Sequence, residues 1–350
     1  MKNFKCIFIF MIFGSFQLLK AQNQKIIFIT LDGLRWQELF YGLDNVLADD
    51  KKYNSKIQGL KKTFDENTSE KKREKLMPFV WNFIAKNGLI LGDRKNGSFV
   101  NVHNTMHFSY PGYNETITGY ADDINIISNK KLLNPNISIF EKLNQHPWYK
   151  NSVHIFGSWD VFPYIFNYER SQLPINAGYM KAENANAVEQ LLNKYQDETP
   201  KRWGSVRYDV FTHNFAMESL KTKKPKILYI GYGETDDFAH DGDYDHYIES
   251  ANVNDQMIKE LWEYTQEDPY YKNQTTFIIT TDHGRGEGEA WHDHGNDVKG
   301  ASDTWIMMFG NKVKKINPKG QFYNDQIAAT LAKILDFEYK AEKPIGKALF

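Results

Sequence analysis

Two side-chain types, carboxylate and imidazole, recur where apolar runs of this chain stop. Thr275-Thr276-Phe277-Ile278-Ile279 continues through Thr280-Thr281 into Asp282-His283-Gly284. Lys25-Ile26-Ile27-Phe28-Ile29-Thr30-Leu31 delivers Asp32-Gly33, and Lys226-Ile227-Leu228-Tyr229-Ile230-Gly231 leads to Asp236 and His240. A further pair follows in Trp291-His292-Asp293-His294-Gly295, of which either His294 or His292 is a candidate. Carboxylate and imidazole together suit zinc, whereas a purely carboxylate set would suit magnesium or calcium. Six ligands are too many for one tetrahedral ion and a natural number for two, at three protein ligands each. Each ion then keeps an open position, as catalytic sites do. Two such ions about 4 Å apart clamp the attacking and leaving oxygens of an in-line displacement. The chain also offers an oxygen to attack with. Ser109 precedes Pro111-Gly112 at an expected strand-to-helix turn, where helix N–H groups and the positive dipole end would face an anion. A hydroxyl held by a metal ionises near neutral pH. Taken singly, each Asp reads as a turn residue or helix cap, each His as a structural one, and Ser109 as an ordinary N-cap. The argument rests on the set.

These residues need elements that bring them together. Unbroken apolar and β-branched runs read as strands buried on both faces of a parallel sheet. In open α/β sheets, ligands bind in the crevice beyond the carboxyl ends of the strands. The fold class is therefore α/β, with a mostly parallel central sheet. Asp236 and His240, four apart, share one face of a helical turn.

Elsewhere the pattern predicts a helix or turn at 36–40 and a polar, charged excursion carrying one helix at 43–75. An amphipathic helix is predicted over Leu76 to Lys86, with Pro78 near its start. Strands are predicted at 89–92, 98–102, 152–157 and 303–310, and helices at 136–146, 185–196, 206–221, 243–266 and 326–335. Residues 158–185 read as irregular and aromatic-rich. The block of about 120–225 lies between Ser109 and the second ligand strand and is expected to build a substrate wall.

The 350 residues carry a net charge of −1, with 25% charged and 41% hydrophobic residues, an ordinary globular balance with room for one large domain. No basic stripe points to nucleic acid. Lys2 and Lys5 before the apolar run Cys6 to Phe16, with Ala21 as a cleavage point, predict a signal peptide over 1–21 and a mature domain over 22–350. The run is shorter than the ~20 residues a spanning helix needs, so no stable membrane span is expected after cleavage. Cys6 is the only cysteine, so the mature chain forms no disulfide, in keeping with a bacterial periplasm or exterior. Nothing fixes the oligomeric state.

As an ordered set, Asp32-Gly33, Ser109-x-Pro111, Asp236-x-x-x-His240, Asp282-His283-Gly284 and His294-Gly295 resemble the alkaline phosphatase superfamily, most closely its nucleotide pyrophosphatase/phosphodiesterase branch. The resemblance spans about residues 25 to 310. It implies an alkaline-phosphatase-like three-layer sandwich with helices on both faces of the sheet. It also implies one zinc held by Asp236, His240 and His294, and another by Asp32, Asp282 and His283, with Ser109 between them. The family works through a covalent phospho-enzyme that water hydrolyses. The phosphodiesterase branch mostly carries Thr as nucleophile and Asn directly after the Pro, where this chain has Ser109 and Gly112. Asn114 is the candidate to replace that anion-holding amide. Some monoesterases of the superfamily carry a Lys and Arg clamp where this chain has Ser158-Trp159-Asp160, and its absence favours a diester. Tyr113 stands where a formylglycine sulfatase needs Arg.

The expectation is thus an exported two-metal hydrolase of small-molecule phosphate esters, diesters first, using Ser109. Alternatives on the same scaffold are a phosphomonoesterase or a sulfate or phosphonate esterase. A reading of another class, a non-catalytic carbohydrate- or lipid-binding protein, predicts eroded ligands, and none is eroded.

Overall fold

The computed structural model describes residues 24–350. The expected signal peptide, with Lys2, Lys5, Cys6 and Ala21, lies outside the described residues. The described strands are β1 (Lys25–Leu31), β2 (Leu89–Leu91), β3 (Ser98–Asn101), β4 (Val153–Gly157), β5 (Ile175–Ala177), β6 (Ile227–Tyr232), β7 (Thr275–Thr280), β8 (Asp303–Thr304), β9 (Ile306–Gly310) and β10 (Gly320–Tyr323). Seven of them form one sheet in the order β2-β9-β7-β1-β6-β4-β5. The run from β7 to β5 is parallel, while β9 is antiparallel to β7 and to β2.

The three runs that end in candidate ligands are neighbours at the centre of this sheet. β1 pairs in parallel with both β6 and β7, and every residue of the three strands is buried. Their side chains alternate between two cores, as the period of a strand requires. Ile27, Ile29 and Leu31 face one core, built with the helices Asp209–Thr222 and Tyr244–Glu267. Ile26 and Phe28 face the other, built with Ser109–Thr118, Ile139–Gln145 and Gln326–Leu335. This is the expected three-layer arrangement. Among the described residues no helix is long and apolar enough to cross a membrane.

Several elements differ from expectation. The charged excursion 43–75 holds three short helices, Asn45–Asp49, Ile57–Phe64 and Ser69–Leu76, and buries Leu47, Leu60, Phe64 and Leu76. The helix expected over 76–86 runs from 78 to 87, starting at Pro78, with one π-turn inside it, at Val80–Ile84. The preceding helix, Ser69–Leu76, ends before it. Asp255 accepts the backbone N–H groups of Phe79 and Val80, both at 2.8 Å, and caps its first turn. The strand expected over 303–310 breaks at Trp305: β9 joins the main sheet, and β8 joins a small sheet of order β10-β3-β8. The block 120–225 supplies β4 and β5 to the main sheet, so much of it is framework.

Candidate metal centre and nucleophile

The carboxyl ends of β1, β6 and β7 converge as predicted. Asp32 leaves β1 with its N–H on the carbonyl of Tyr232, at 3.0 Å. Tyr113 donates to Asp32 Oδ2 at 2.8 Å, leaving Asp32 Oδ1 buried without a hydrogen-bond partner. Gly33 follows at φ +57, where a Cβ would lie 2.7 Å from Asp236 Oδ1 and 2.8 Å from Arg285 Nε. Only glycine fits this turn and this approach. Beyond β6, the helix Glu234–His240 sets His240 Nε2 3.2 Å from Asp236 Oδ2. Beyond β7, Asp282 Oδ1 accepts the N–H of Gly33 at 3.2 Å, while its Oδ2 is a second buried oxygen without a partner.

His283 is the hub. Its Nδ1 lies 2.9 Å from the carbonyl of Gly284 and must donate there, which leaves the lone pair on Nε2. That nitrogen is 3.3 Å from Asp32 Oδ1, 3.5 Å from Asp282 Oδ2, 3.6 Å from Asp236 Oδ1 and 3.4 Å from Ser109 Oγ. His294 Nε2 lies 2.9 Å from His240 Nε2 and 3.9 Å from Asp236 Oδ1, and its ring centroid is 4.0 Å from that of His283. His292 faces elsewhere: its ring packs beside Tyr53 and Asp293, so His294 is the member brought into the cluster. The donor atoms of Asp32, Asp282 and His283 lie within 4.8 Å of one another, and so do those of Asp236, His283 and His294.

Ser109 is buried at the first turn of its helix, after the extended Phe108. The helix approaches closely because residue 112 is glycine; a Cβ there would collide with the backbone carbonyl of Asp282. Fewer helix donors face the site than expected. The N–H of Tyr110 is taken by Asn129 Oδ1 at 2.9 Å, Pro111 has none, and that of Gly112 goes to the carbonyl of Phe108. Asn114 does not join the cluster. Its Oδ1 accepts from Asn134 and Asn136, and its Nδ2 donates to the carbonyl of Tyr120. Five residues on from Ser109, the helix turns it toward the loop that follows.

Sequence reasoning missed Arg285. It is buried, ion-paired to Asp236 Oδ1, and donates to the carbonyls of Asp236 at 3.1 Å and His292 at 2.5 Å. A second buried pair, Arg35 with Glu38, supports the same loop, with Arg35 Nη1 on the carbonyl of Gly286 at 3.0 Å. At the end of β4, Ser158 is consumed by Asp209, and Asp160 pairs with Lys131 at 2.7 Å.

The electrostatics are those of a site built for positive charge. Burial, then the charge of Asp236, pushes Asp32 well above the carboxylate range, and burial, then Asp32, does the same to Asp282. Burial acts against Asp236 most strongly of any single cause, but Arg285, His240 and His294 together outweigh it and hold that carboxyl well below the usual range. Asp237 is pushed up to about 9 by burial and then by Asp236 and Asp32. His294 is pushed down by burial and then by His283, so it is a neutral imidazole. Crowded carboxylates with orphaned oxygens are costly without a cation. The donor set therefore fits divalent metal.

The family model described as "Metalloenzyme superfamily" matches residues 207–334, a span that holds Asp236, His240, Asp282, His283 and His294. No curated protein matches the sequence. Among solved structures, wild-type alkaline phosphatase PafA aligns with a TM-score of 0.63 at 8% identity, over 93% of this chain and 98% of that one. Phosphonate monoester hydrolase SpPMH from Silicibacter pomeroyi aligns with a TM-score of 0.58 at 12% identity, over 93% and 76%. A protein in the alkaline phosphatase superfamily from Vibrio parahaemolyticus aligns with a TM-score of 0.54 at 10% identity, over 90% of this chain and 66% of that one, so this chain spans just under two thirds of its length. These likenesses show the fold: it is alkaline-phosphatase-like, as the sequence motifs implied.

Proposed function

We propose that this chain is a two-metal hydrolase of phosphate esters, with diesters as its preferred substrates and Ser109 as its nucleophile. The observation that carries the reading is the meeting of six ligands and one hydroxyl, with Ser109 Oγ 3.4 Å from His283 Nε2. Asp32, Asp282 and His283 would hold one ion, and Asp236, His240 and His294 the other; zinc is the expected metal from the mixed donor set. Bound there, the pair would supply Lewis acidity toward the Ser109 hydroxyl and the phosphoryl oxygens.

The chain's own residues do the rest. Gly112 lets the helix bring Ser109 against the Asp282 loop, and the hydrogen bond from Tyr113 fixes Asp32. Ser109 Oγ loses its proton to solvent water and attacks phosphorus, the bond to the leaving oxygen breaks and that oxygen takes a proton from water to depart as the alcohol, and a second water then cleaves the phosphoseryl ester, restoring the Ser109 hydroxyl and releasing the phosphomonoester. No Lys or Arg occupies 158–160, and the nearby Lys131 is engaged by Asp160. A phosphate with one charge needs less neutralisation than one with two, and this favours the diester.

Replacing Ser109 by Ala is expected to abolish turnover of bis(4-nitrophenyl) phosphate while metal stoichiometry, read by mass spectrometry, stays unchanged. Wild-type rates in that variant reject the assignment. Faster turnover of 4-nitrophenyl phosphate or 4-nitrophenyl sulfate than of the diester moves the reading to a monoesterase or sulfate esterase. The reading includes export, on the strength of Lys2, Lys5 and the apolar run after them. N-terminal sequencing of periplasmic protein should begin at Gln22, and intact Met1 in the cytosol contradicts it.

A further inference from the structure

Between β3 and the helix Ser109–Thr118, residues 102–108 form neither helix nor strand. Side chains hold this loop instead of a ladder. Glu115, fully buried on the helix that follows, is the anchor. Three N–H groups converge on its carboxylate: the backbone of His103 at 2.8 Å, the backbone of Asn104 at 2.8 Å and the side-chain amide of Asn104 at 2.8 Å. Asn104 is buried as well, and its Oδ1 accepts the N–H of His107 at 3.0 Å. His107 sits at φ +53, in the left-handed region, which a non-glycine residue occupies when its surroundings hold it there. Its ring reaches the backbone of Gly295, beside His294. Asp123 accepts the N–H of Thr105 at 3.0 Å from the other side. The line from Glu115 through Asn104 to His107 thus stops two residues short of Ser109.

We propose that Glu115 is a positioning residue for the nucleophile: by gathering these N–H groups its carboxylate sets the 102–108 loop, and the loop sets Ser109 against His283. The inference rests on the reading of Ser109 as nucleophile given above. A carboxylate suits the task because it only accepts hydrogen bonds, and the groups around it only donate. A protonated carboxyl would turn one oxygen into a donor facing N–H groups that need acceptors. Burial pushes Glu115 up to about 7, the converging N–H groups pulling the other way and the charge of Asp325 adding to the rise. The other ionisable group facing it is His103, whose ring lies 2.8 Å from Asp325 and stacks on Tyr323. The helix Gln326–Leu335, packed alongside, contributes apolar Ile327, Ala328 and Leu331 to the shared core. The loop therefore loosens as pH falls through about 7, and turnover falls with it.

Glu115→Gln keeps the size of the side chain and removes its charge. In zinc-loaded protein it is expected to lower kcat on bis(4-nitrophenyl) phosphate about tenfold or more, with KM and metal stoichiometry unchanged. The ratio of parent to variant kcat, followed from about pH 9 to about pH 5.5, should narrow below about 7, where the parent's carboxyl is neutral too. Titration of the metal centre is common to both proteins and cancels in this ratio. Asn104→Ala leaves the carboxylate in place but takes the acceptor from His107; it should lower kcat in the same way, and it carries the test if Glu115→Gln does not fold. An unchanged kcat, a loss confined to KM, or a ratio flat with pH overturns the proposal. Amide hydrogen exchange over 102–108 reads the same clamp without turnover. Faster exchange confined to that loop is expected in Glu115→Gln, and equal exchange overturns the proposal. No turnover by the parent on any of the aryl esters strikes the hydrolase reading and leaves the exchange result standing.

Discussion

Arg285 gives the residue scale its sharpest test. Its guanidinium holds one oxygen of Asp236 while His240 faces the other. Removing one partner of a buried pair leaves an uncompensated charge and costs about 3–5 kcal/mol. Arg285→Met is therefore expected to lower the melting temperature of metal-free protein by several degrees. The deficit should shrink once zinc is added, since the cation then compensates Asp236; a deficit unchanged by zinc contradicts this account. The six candidate ligands that the fold gathers were legible in the sequence because each lay beyond a strong strand run or in a His-Gly pair. Arg285 was not, since an arginine in a Gly-rich acidic loop reads as solvated. Only the folded positions of Asp236 and two carbonyls make it a buried partner. Asn114 failed for the opposite reason. Its chemistry was suitable, but the phase of the helix turned it away from the site.

At the scale of elements, the site depends on one close approach. The helix that begins with Ser109 packs its Gly112 onto the backbone of Asp282. Gly112→Ala is expected to push the two apart, destabilising the protein by about 1–3 kcal/mol. Turnover should fall further than that figure alone implies, because Ser109 would shift relative to His283. A variant with normal kcat and normal melting temperature shows that the gap is not needed. The long, fully buried strands could be read from apolar runs because burial on both faces leaves no polar interruptions. The helix at 76–86 was legible too, but its π-turn at Val80–Ile84 and the capping of its first turn by Asp255, contributed by a distant helix, were not. Nor was the division at Trp305, because neighbouring residues there pair with different sheets.

For the whole molecule, the crowded carboxylates couple stability to pH and metal. Asp32 and Asp282 have folded pKa values raised above their unfolded values near 4. In metal-free protein the stability they contribute is complete below that unfolded value and is lost as pH rises toward their folded values. Metal-free protein should thus melt at falling temperature as pH climbs above about 4. If zinc is the metal, its addition is expected to reverse the trend, adding about 2.7 kcal/mol at a hundredfold excess over its dissociation constant. Because both carboxyls must ionise to take a metal, zinc binding near neutral pH should release protons. Calorimetry in buffers of different ionisation heat measures this release, and zero release refutes the linkage. His294, already neutral, has no proton to give.

The central position of β1 has a consequence for the order in which the chain acquires its shape. Its two sheet neighbours, β6 and β7, begin at Ile227 and Thr275, in the latter part of the 350-residue chain. Asp32 is therefore made early and waits for most of synthesis, on an apolar segment with neither flank covered. Such distant pairings are slow to close and leave sticky surface open meanwhile. A chaperone that shields residues 25–31 until the last third of the polypeptide has emerged would raise the yield of this protein more than one acting on any other strand.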